Sequence, residues 1–301
     1  MTREFHLALV FSFLILGRSG PFFAAENPSS KLKVVVSILP QKYFVERIGG
    51  PDVDMEVLVG PGQSPHSYEP TPKQVARLAE AQVYFRIGVP FEDALLAKIS
   101  DAFKELKVVD TRSGIQLLPM TAPDQDANLP RGAPDPHIWL DPKLVKIQAG
   151  TIAVTLSQLD PAHAAEYEKN LQAFAADLDR VNAEIAATLA PLKGQSFMVY
   201  HPAFGYFGAA YGLKQVAVES EGKEPSAKEL ADLIDLAKQE QVKVIFIEPQ
   251  FSRKSAEAVA AAVGATVVAM DPLAPDYLHN LEAMAGQIRQ ALTEGQFHRS
   301  Q

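Results

Sequence analysis

The sequence predicts an α/β protein made of two parallel-sheet lobes bridged by one long helix. Short apolar segments alternate with helix-like segments in the first half of the chain, and the same alternation returns in the second half. The segment between the halves has the most regular helical period in the chain. We therefore predict an N-terminal lobe over 26–159, a connecting helix over 160–191 and a C-terminal lobe over 192–301. The cleft between two such lobes is a usual place for a ligand.

The first 25 residues have the pattern of a secretion signal. Arg3 gives a positive start, Leu7–Leu16 is an apolar run, and Ala24 and Ala25 are small residues suited to cleavage. The run is too short to span a bilayer, and an uncleaved interfacial anchor is the alternative. Because the chain contains no cysteine, we expect no disulfide and no lipid anchor. We therefore expect a periplasmic protein.

The N-terminal half contains four apolar runs of strand length. The predicted strands are Lys33–Ile38, which Pro40 ends, Met55–Val59, Val83–Ile87 and Leu106–Val109. A helix is predicted to begin at Pro72, because Thr71 can cap it and Gln74 completes a capping box. Further helices are predicted over Phe91–Ala102 and Lys143–Leu159. Pro119–Pro136 is rich in proline and aspartate without an apolar period, which predicts a surface loop.

The connecting segment begins with Asp160 as a possible cap and Pro161 at the first helical position. Apolar residues then recur every three or four positions from Tyr167 to Leu189, and Pro191 ends the pattern. About 30 residues at about 1.5 Å each give roughly 45 Å, which is long for a helix inside one lobe. A short coiled coil is the alternative, but we favour a strut between the lobes.

The C-terminal half repeats the alternation of the first. The predicted strands are Ser196–Tyr200, Lys214–Val218, Val242–Ile247 and Thr266–Ala269. Ser226 and Glu229 form a capping box at the start of a helix that runs to about Glu240. Further helices are predicted over Ser252–Val263 and Leu278–Leu292.

The charge of the chain argues against one class of partner. The formal net charge is -8 and the isoelectric point is near 5.4. A nucleic-acid surface needs clustered lysine and arginine, so we expect no nucleic-acid partner.

Three histidines stand in similar local sequences. His66, His137 and His201 each adjoin a proline and lie near the edge of an extended apolar segment, and Asp271 follows the last predicted strand in the same manner. Ligands of parallel α/β lobes bind beyond the carboxyl ends of the strands, so the cleft can bring all four together. Three imidazoles and one carboxylate form a tetrahedral shell for Zn²⁺. The sequence therefore predicts a metal site in the cleft.

The remaining histidines lack this pattern, and so do the acidic residues near the motifs. The chain has no H-E-x-x-H motif, which excludes that metalloprotease arrangement. Glu69 is interpreted as a residue that supports a ligand or fixes the loop, and Glu219 and Glu221 as residues of a turn or the cleft rim. Glu69 and Glu219 are the candidate bases if the protein is a hydrolase. The histidines set aside are His6 in the signal, His163, His279 and His298.

The motifs around these residues resemble those of the zinc-type, ZnuA-like periplasmic solute-binding proteins that serve ABC importers. SPHSYEPTP, RIGVPFE, DPHIWLDP, YHPAFGYFGAAYGL, EGKEPS and MDPLA occur in the family's order, from Leu32 to the end of the chain. The resemblance implies two α/β lobes joined by a long helix. It implies His66, His137 and His201 as metal ligands, with Asp271 or a water molecule in the fourth place. It also implies Zn²⁺ as cargo and a membrane permease as partner of a monomer.

Two features of the chain bear on the cargo. Manganese-type relatives tend to place a carboxylate where this chain has His201, and imidazole suits Zn²⁺ better than Mn²⁺. Many zinc-type relatives carry a histidine-rich loop before the DPHIW motif, whereas Pro119–Pro136 has no histidine, so we expect no auxiliary zinc site there. The alternatives are a manganese- or iron-binding member of the same family, a secreted zinc hydrolase, and a metal-binding adhesin. We expect a zinc-capture protein that is not an enzyme.

Overall fold

The structure, a computed structural model, describes residues 31–120, 134–218 and 226–297. Two parallel four-stranded sheets form the centres of two α/β lobes, as the sequence predicts. The predicted signal over 1–25 lies outside the described residues, and the lobe boundaries remain predictions.

The first sheet has the strand order β2-β1-β3-β4. Its strands are β1 (Leu32–Val36), β2 (Val53–Val57), β3 (Val83–Arg86) and β4 (Lys107–Asp110). The helices around it are α1 (Leu39–Gly49), α2 (Pro72–Glu80), α3 (Phe91–Ile99) and α4 (Pro142–Leu159). All three strand pairs are parallel, with Leu32 opposite Val53 and Val83 opposite Lys107.

The second sheet has the equivalent order β6-β5-β7-β8. Its strands are β5 (Ser196–Val199), β6 (Lys214–Ala217), β7 (Val244–Ile247) and β8 (Thr266–Ala269). The helices around it are α6 (Gly205–Tyr211), α7 (Ala227–Gln239), α8 (Arg253–Val263) and α9 (Tyr277–Phe297). In both sheets the chain changes direction across the sheet after its second strand, so β1/β3 and β5/β7 are the topological switch points where α/β folds bind ligands.

The helix between the lobes is α5 (Ala164–Leu189), preceded by a 3₁₀ turn over Pro161–His163 and followed by another over Ala190–Leu192. Its 26 residues span about 39 Å. The buried residues of α5 follow the predicted stripe, and they are Tyr167, Phe174, Leu178, Val181, Ile185 and Leu189. Asp160 does not cap a backbone N–H with its side chain, because its carboxylate accepts hydrogen bonds from His163 and Tyr167.

The buried core is continuous between the lobes. One cluster of buried side chains includes β1 and β3, the stripe of α5, and Phe197, Val199 and Phe246 of the second sheet. Helix α9 also reaches the first lobe, where Tyr277 packs edge-on against Phe44 with ring centroids 4.8 Å apart. A smaller cluster lies between α7, α8 and the other face of the second sheet. The lobes are therefore joined by packing as well as by the chain.

The structure corrects several predictions of secondary structure. Helices α1 and α6 were not predicted, and Pro40, interpreted as the end of a strand, lies in the first turn of α1. The segment after His137 was expected to be extended, but Ile138–Leu140 forms a 3₁₀ turn. The helix predicted over Phe91–Ala102 ends at Ile99. No helix in the described ranges is long and apolar enough to cross a membrane.

At the switch point of the first lobe, a buried carboxylate fills the crevice. Glu92, in the first turn of α3, accepts hydrogen bonds from Ser37 Oγ and from the backbone N–H groups of Ile87 and Gly88, the last two at 2.9 and 2.6 Å. Arg86 Nε donates to the same carboxylate at 3.2 Å. Burial raises the pKa of Glu92. The network fixes the loop after β3, which continues to the cleft at Val89.

Candidate metal centre

The structure brings His66, His137 and His201 together in the cleft. Their candidate ligand atoms all lie within 4.8 Å of one another. His201 Nε2 lies 3.0 Å from His66 Nε2 and 3.3 Å from His137 Nε2. Nitrogens on a tetrahedral Zn²⁺ at about 2.0–2.1 Å are separated by about 3.3 Å. The separations of His201 from the other two rings therefore fit one small cation.

His66 lies in the loop between β2 and α2. Gln74, in the first turn of α2, holds this loop in place. The Gln74 side chain completes the predicted capping box with Thr71. It also donates to Leu58 O at 2.8 Å and accepts from Tyr68 Oη at 2.7 Å. One side chain thus ties both ends of the loop that carries His66.

His137 is oriented by the carboxylate of Asp135. Asp135 Oδ1 accepts hydrogen bonds from the backbone N–H of His137 at 2.9 Å and from His137 Nδ1 at 2.7 Å. With the proton on Nδ1, the lone pair of Nε2 points to the other two rings, which is the usual arrangement behind a metal-binding histidine. Tyr206 connects this loop to the second lobe by donating to Asp135 O at 3.1 Å.

His201 lies at the switch point of the second sheet, two residues after β5. Its backbone N–H donates to Glu248 Oε2 at 3.2 Å, and Glu248 directly follows β7. The His201 ring stacks on Phe251 with centroids 5.0 Å apart. The segment that follows β7 thus fixes both the backbone and the ring of His201.

The walls of the site are mainly apolar. They are formed by Pro65, Val89, Pro136, Trp139, Phe251, Pro272 and Leu273, with Ser64, Glu248 and Gln250 as polar members. Burial, together with the charges of the neighbouring His201 and His137, lowers the pKa of His66 to about 2. His66 therefore stays neutral at physiological pH, as a metal ligand must.

Asp271, the fourth predicted ligand, lies at the margin of this cluster. Its Oδ1 accepts from Gln250 Nε2 and from the backbone N–H of Leu273, both at 2.9 Å. Gln250 and Leu273 line the pocket, but Asp271 itself is not among the lining residues or the clustered ligand atoms of the described chain.

The other acidic and histidine residues considered from the sequence lie elsewhere. Glu69 is exposed and is not among the lining residues. His163 pairs with Asp160, and His279 is an exposed residue of α9. Glu219, Glu221, His6 and His298 lie outside the described residues.

Sequence reasoning missed two buried carboxylates, those of Asp135 and Glu248. Glu248 carried the same signal as the histidines, since it directly follows a buried strand and precedes a proline. Asp135 lies two residues before His137 in a segment predicted only as a surface loop. Its role became visible only when the structure placed its carboxylate against the ring.

The chain is similar to known zinc-uptake proteins. The model of the family described as ZnuA, the periplasmic component A of a zinc-uptake complex, matches residues 34–291. The high-affinity zinc uptake system protein ZnuA of Bacillus subtilis (strain 168) is 30% identical over 270 residues, which cover 85% of this chain and 83% of that protein.

Solved structures give the same result. A crystal structure of ZnuA has 47% sequence identity and a TM-score of 0.81, covering 87% of this chain and 99% of that chain. A zinc-bound deletion mutant of ZnuA has 46% identity and a TM-score of 0.80, covering 87% and 98%. The resemblance inferred from the motifs is thus confirmed, and the chain belongs to the ZnuA family of periplasmic zinc-uptake components.

Proposed function

We propose that this protein captures Zn²⁺ in the periplasm and delivers it to the membrane permease of an ABC importer. The observation that carries the proposal is the convergence of three histidine Nε2 atoms from both lobes at spacings that fit one tetrahedral ion. Family membership supports the transport role, because the matched relative is named a zinc uptake system protein. The protein acts as a monomer and a solute-binding component.

Zinc is favoured over manganese by the chemistry of the donors. The cluster offers three imidazole nitrogens, whereas Mn²⁺ prefers oxygen donors and more than four of them. Cu²⁺ and Ni²⁺ also bind imidazole strongly, so selectivity in a test tube need not equal selectivity in the cell.

The ligand assignment is tested by His66→Ala, His137→Ala and His201→Ala. Each variant is expected to lose at least about a hundredfold in Zn²⁺ affinity, more than the typical loss for a residue that only supports a ligand. Calorimetry measures the affinity. The fluorescence of Trp139, the only tryptophan, gives a second readout because its ring lies 5.1 Å from that of His137.

The matched control is His279→Ala, which removes an exposed histidine of α9 and is expected to bind Zn²⁺ as the wild type does. Unchanged affinity in all three site variants would refute the assignment. Asp271→Asn addresses the fourth position, which we assign to Asp271 or a water molecule. A tenfold or greater loss of affinity is expected if the carboxylate binds the ion, and little change if water does.

A zinc hydrolase would need an open metal position and a base within reach of the bound water. We propose instead that the protein is not an enzyme. Glu69, one base considered for a hydrolase, is exposed and away from the pocket lining. The zinc-loaded protein is expected to leave ester and peptide substrates intact in chromatographic assays, and turnover that depends on His137 would contradict this.

A further inference from the structure

Two buried carboxylates lie directly behind the histidine cluster. Asp135 and Glu248 are each 1% exposed, although acidic residues are almost never fully buried without partners. Asp135 comes from the first lobe and Glu248 from the second. Glu248 also lines the pocket, and it is the one acid among the described lining residues.

Each carboxylate accepts a hydrogen bond from a histidine of the cluster. Asp135 accepts from the ring and the backbone of His137, and Glu248 accepts from the backbone of His201. In these contacts both carboxylates act as acceptors. The two carboxylates thus lie behind the histidines proposed to bind the cation and are hydrogen-bonded to His137 and His201.

Charge balance gives this arrangement a consequence. With water in the fourth position, three neutral imidazoles leave the two positive charges of Zn²⁺ uncompensated, and an uncompensated charge in a buried site is strongly unfavourable. Two carboxylates supply two negative charges. A monovalent ion that also binds imidazole, such as Ag⁺ or Cu⁺, would leave one of them unbalanced.

We infer that Glu248, together with Asp135, is a specificity-determining residue that matches the charge of the site to a divalent cation. The inference rests on the proposed function, because it concerns the same metal site. Glu248 acts through the field of its carboxylate and through His201. Its role is therefore to select and position the ion.

The test exploits the dependence of Coulomb energy on ion charge. Glu248→Gln keeps an oxygen that can accept from the His201 N–H but removes the negative charge. Loss of a residue that supports a ligand typically costs 10- to 100-fold in affinity, and we expect a loss of that size for Zn²⁺. The Coulomb energy between a fixed charge and an ion is proportional to the charge of the ion. The fold-loss of Ag⁺ affinity is therefore expected to be about the square root of the fold-loss of Zn²⁺ affinity, roughly three- to tenfold.

Affinities for Zn²⁺ and Ag⁺ are measured by calorimetry in chloride-free buffer on the full chain. The control is Glu257→Gln, which removes an exposed acid of α8 and is expected to leave both affinities unchanged. Equal losses for both ions in Glu248→Gln would indicate general damage to the site and overturn the inference, as would wild-type affinity for both. If the wild type itself fails to bind Zn²⁺, the proposed function fails instead.

Glu248→Asp keeps the test decisive if the glutamine variant does not fold. Aspartate retains the charge on a shorter side chain, so the affinity for Zn²⁺ is expected to fall by less than about tenfold and that for Ag⁺ by about the square root of that factor. The ratio of Zn²⁺ to Ag⁺ affinity should therefore shift towards Ag⁺ by less than about threefold. A loss of Ag⁺ affinity equal to or larger than the loss of Zn²⁺ affinity would contradict charge matching.

Discussion

Asp135 connects a ligand of one lobe to the backbone of the other. Its carboxylate fixes His137, while Gly205, the first residue of α6, leaves room for it. A Cβ atom on Gly205 would lie 2.7 Å from Asp135 Oδ2, closer than real contacts allow. Glycine at this position thus supports the orientation of His137 without touching the ion.

Gly205→Ala is expected to weaken Zn²⁺ binding by about tenfold, because the displaced carboxylate no longer fixes the His137 ring. Calorimetry measures the affinity, and the ¹⁵N shifts of His137 report whether the proton stays on Nδ1. The control is Gly150→Ala in α4, where a Cβ would meet nothing within 4 Å. Wild-type affinity and an unchanged His137 spectrum in Gly205→Ala would disprove the coupling.

At this scale the sequence predicted the histidines that meet but not their supports. His66 and His201 could be found because strand ends of parallel lobes face a common cleft, and His137 because its proline-flanked sequence is similar to theirs. Asp135 could not be distinguished from a surface acid, since burial of a carboxylate depends on contacts made between distant segments. Glu248 carried the strand-end signal of the histidines but was not recognised. The Asp271 prediction placed the residue correctly after β8 but could not foresee its hydrogen bond to Gln250.

The connecting helix begins at Ala164, after a 3₁₀ turn, whereas the sequence predicted its first position at Pro161. The carboxylate of Asp160 accepts from His163 Nδ1 and from Tyr167 Oη at 2.9 Å, and so links the 3₁₀ turn to the first turn of α5. This hydrogen bond to Asp160 raises the pKa of His163. The protonated histidine is therefore favoured in the folded state.

The sign of the pH dependence follows from that raised pKa. The stabilisation by His163 is fully present below its unfolded pKa of about 6.5 and is lost as pH rises through the higher folded pKa. We expect His163→Gln to be more destabilising at pH 6 than at pH 9 in urea unfolding of the metal-free protein. His279→Gln is the control and should follow the wild type. A destabilisation by His163→Gln that is equal at both pH values would contradict the argument.

Element prediction succeeded where a local pattern was strong. All eight strands were predicted to within two residues, and both capping boxes, at Thr71 and Ser226, are present. Helix α1 was missed because a proline after an apolar run indicates either the end of a strand or the first turn of a helix. Helix α6 has seven residues and two glycines, and it forms because Tyr206, Phe207 and Tyr211 are buried.

For the whole molecule, the continuous core limits how far the lobes can move. Buried side chains from both sheets pack in one cluster around α5, and α9 returns from the second lobe to Phe44 of the first. Wide hinge closure requires an interface that opens at low cost, and this interface is packed like a domain interior.

We therefore expect zinc binding to cause only local changes in shape. Small-angle scattering curves of the metal-free and zinc-loaded proteins should superimpose within error. His201→Ala with added zinc is the control for effects of the metal outside the site. A marked decrease in the radius of gyration of the wild type on zinc binding would contradict the rigid connection.

The two lobes share one strand order, yet their switch points are used in different ways. In the first lobe, Glu92 occupies the crevice between β1 and β3 and takes the hydrogen bonds of Ser37, Ile87 and Gly88. The first switch point is therefore filled by a side chain of the protein itself, whereas the second switch point contributes His201 to the metal site. The first lobe supplies its proposed ligands, His66 and His137, from other loops, so both lobes exchange the cation although only the second does so at its switch point.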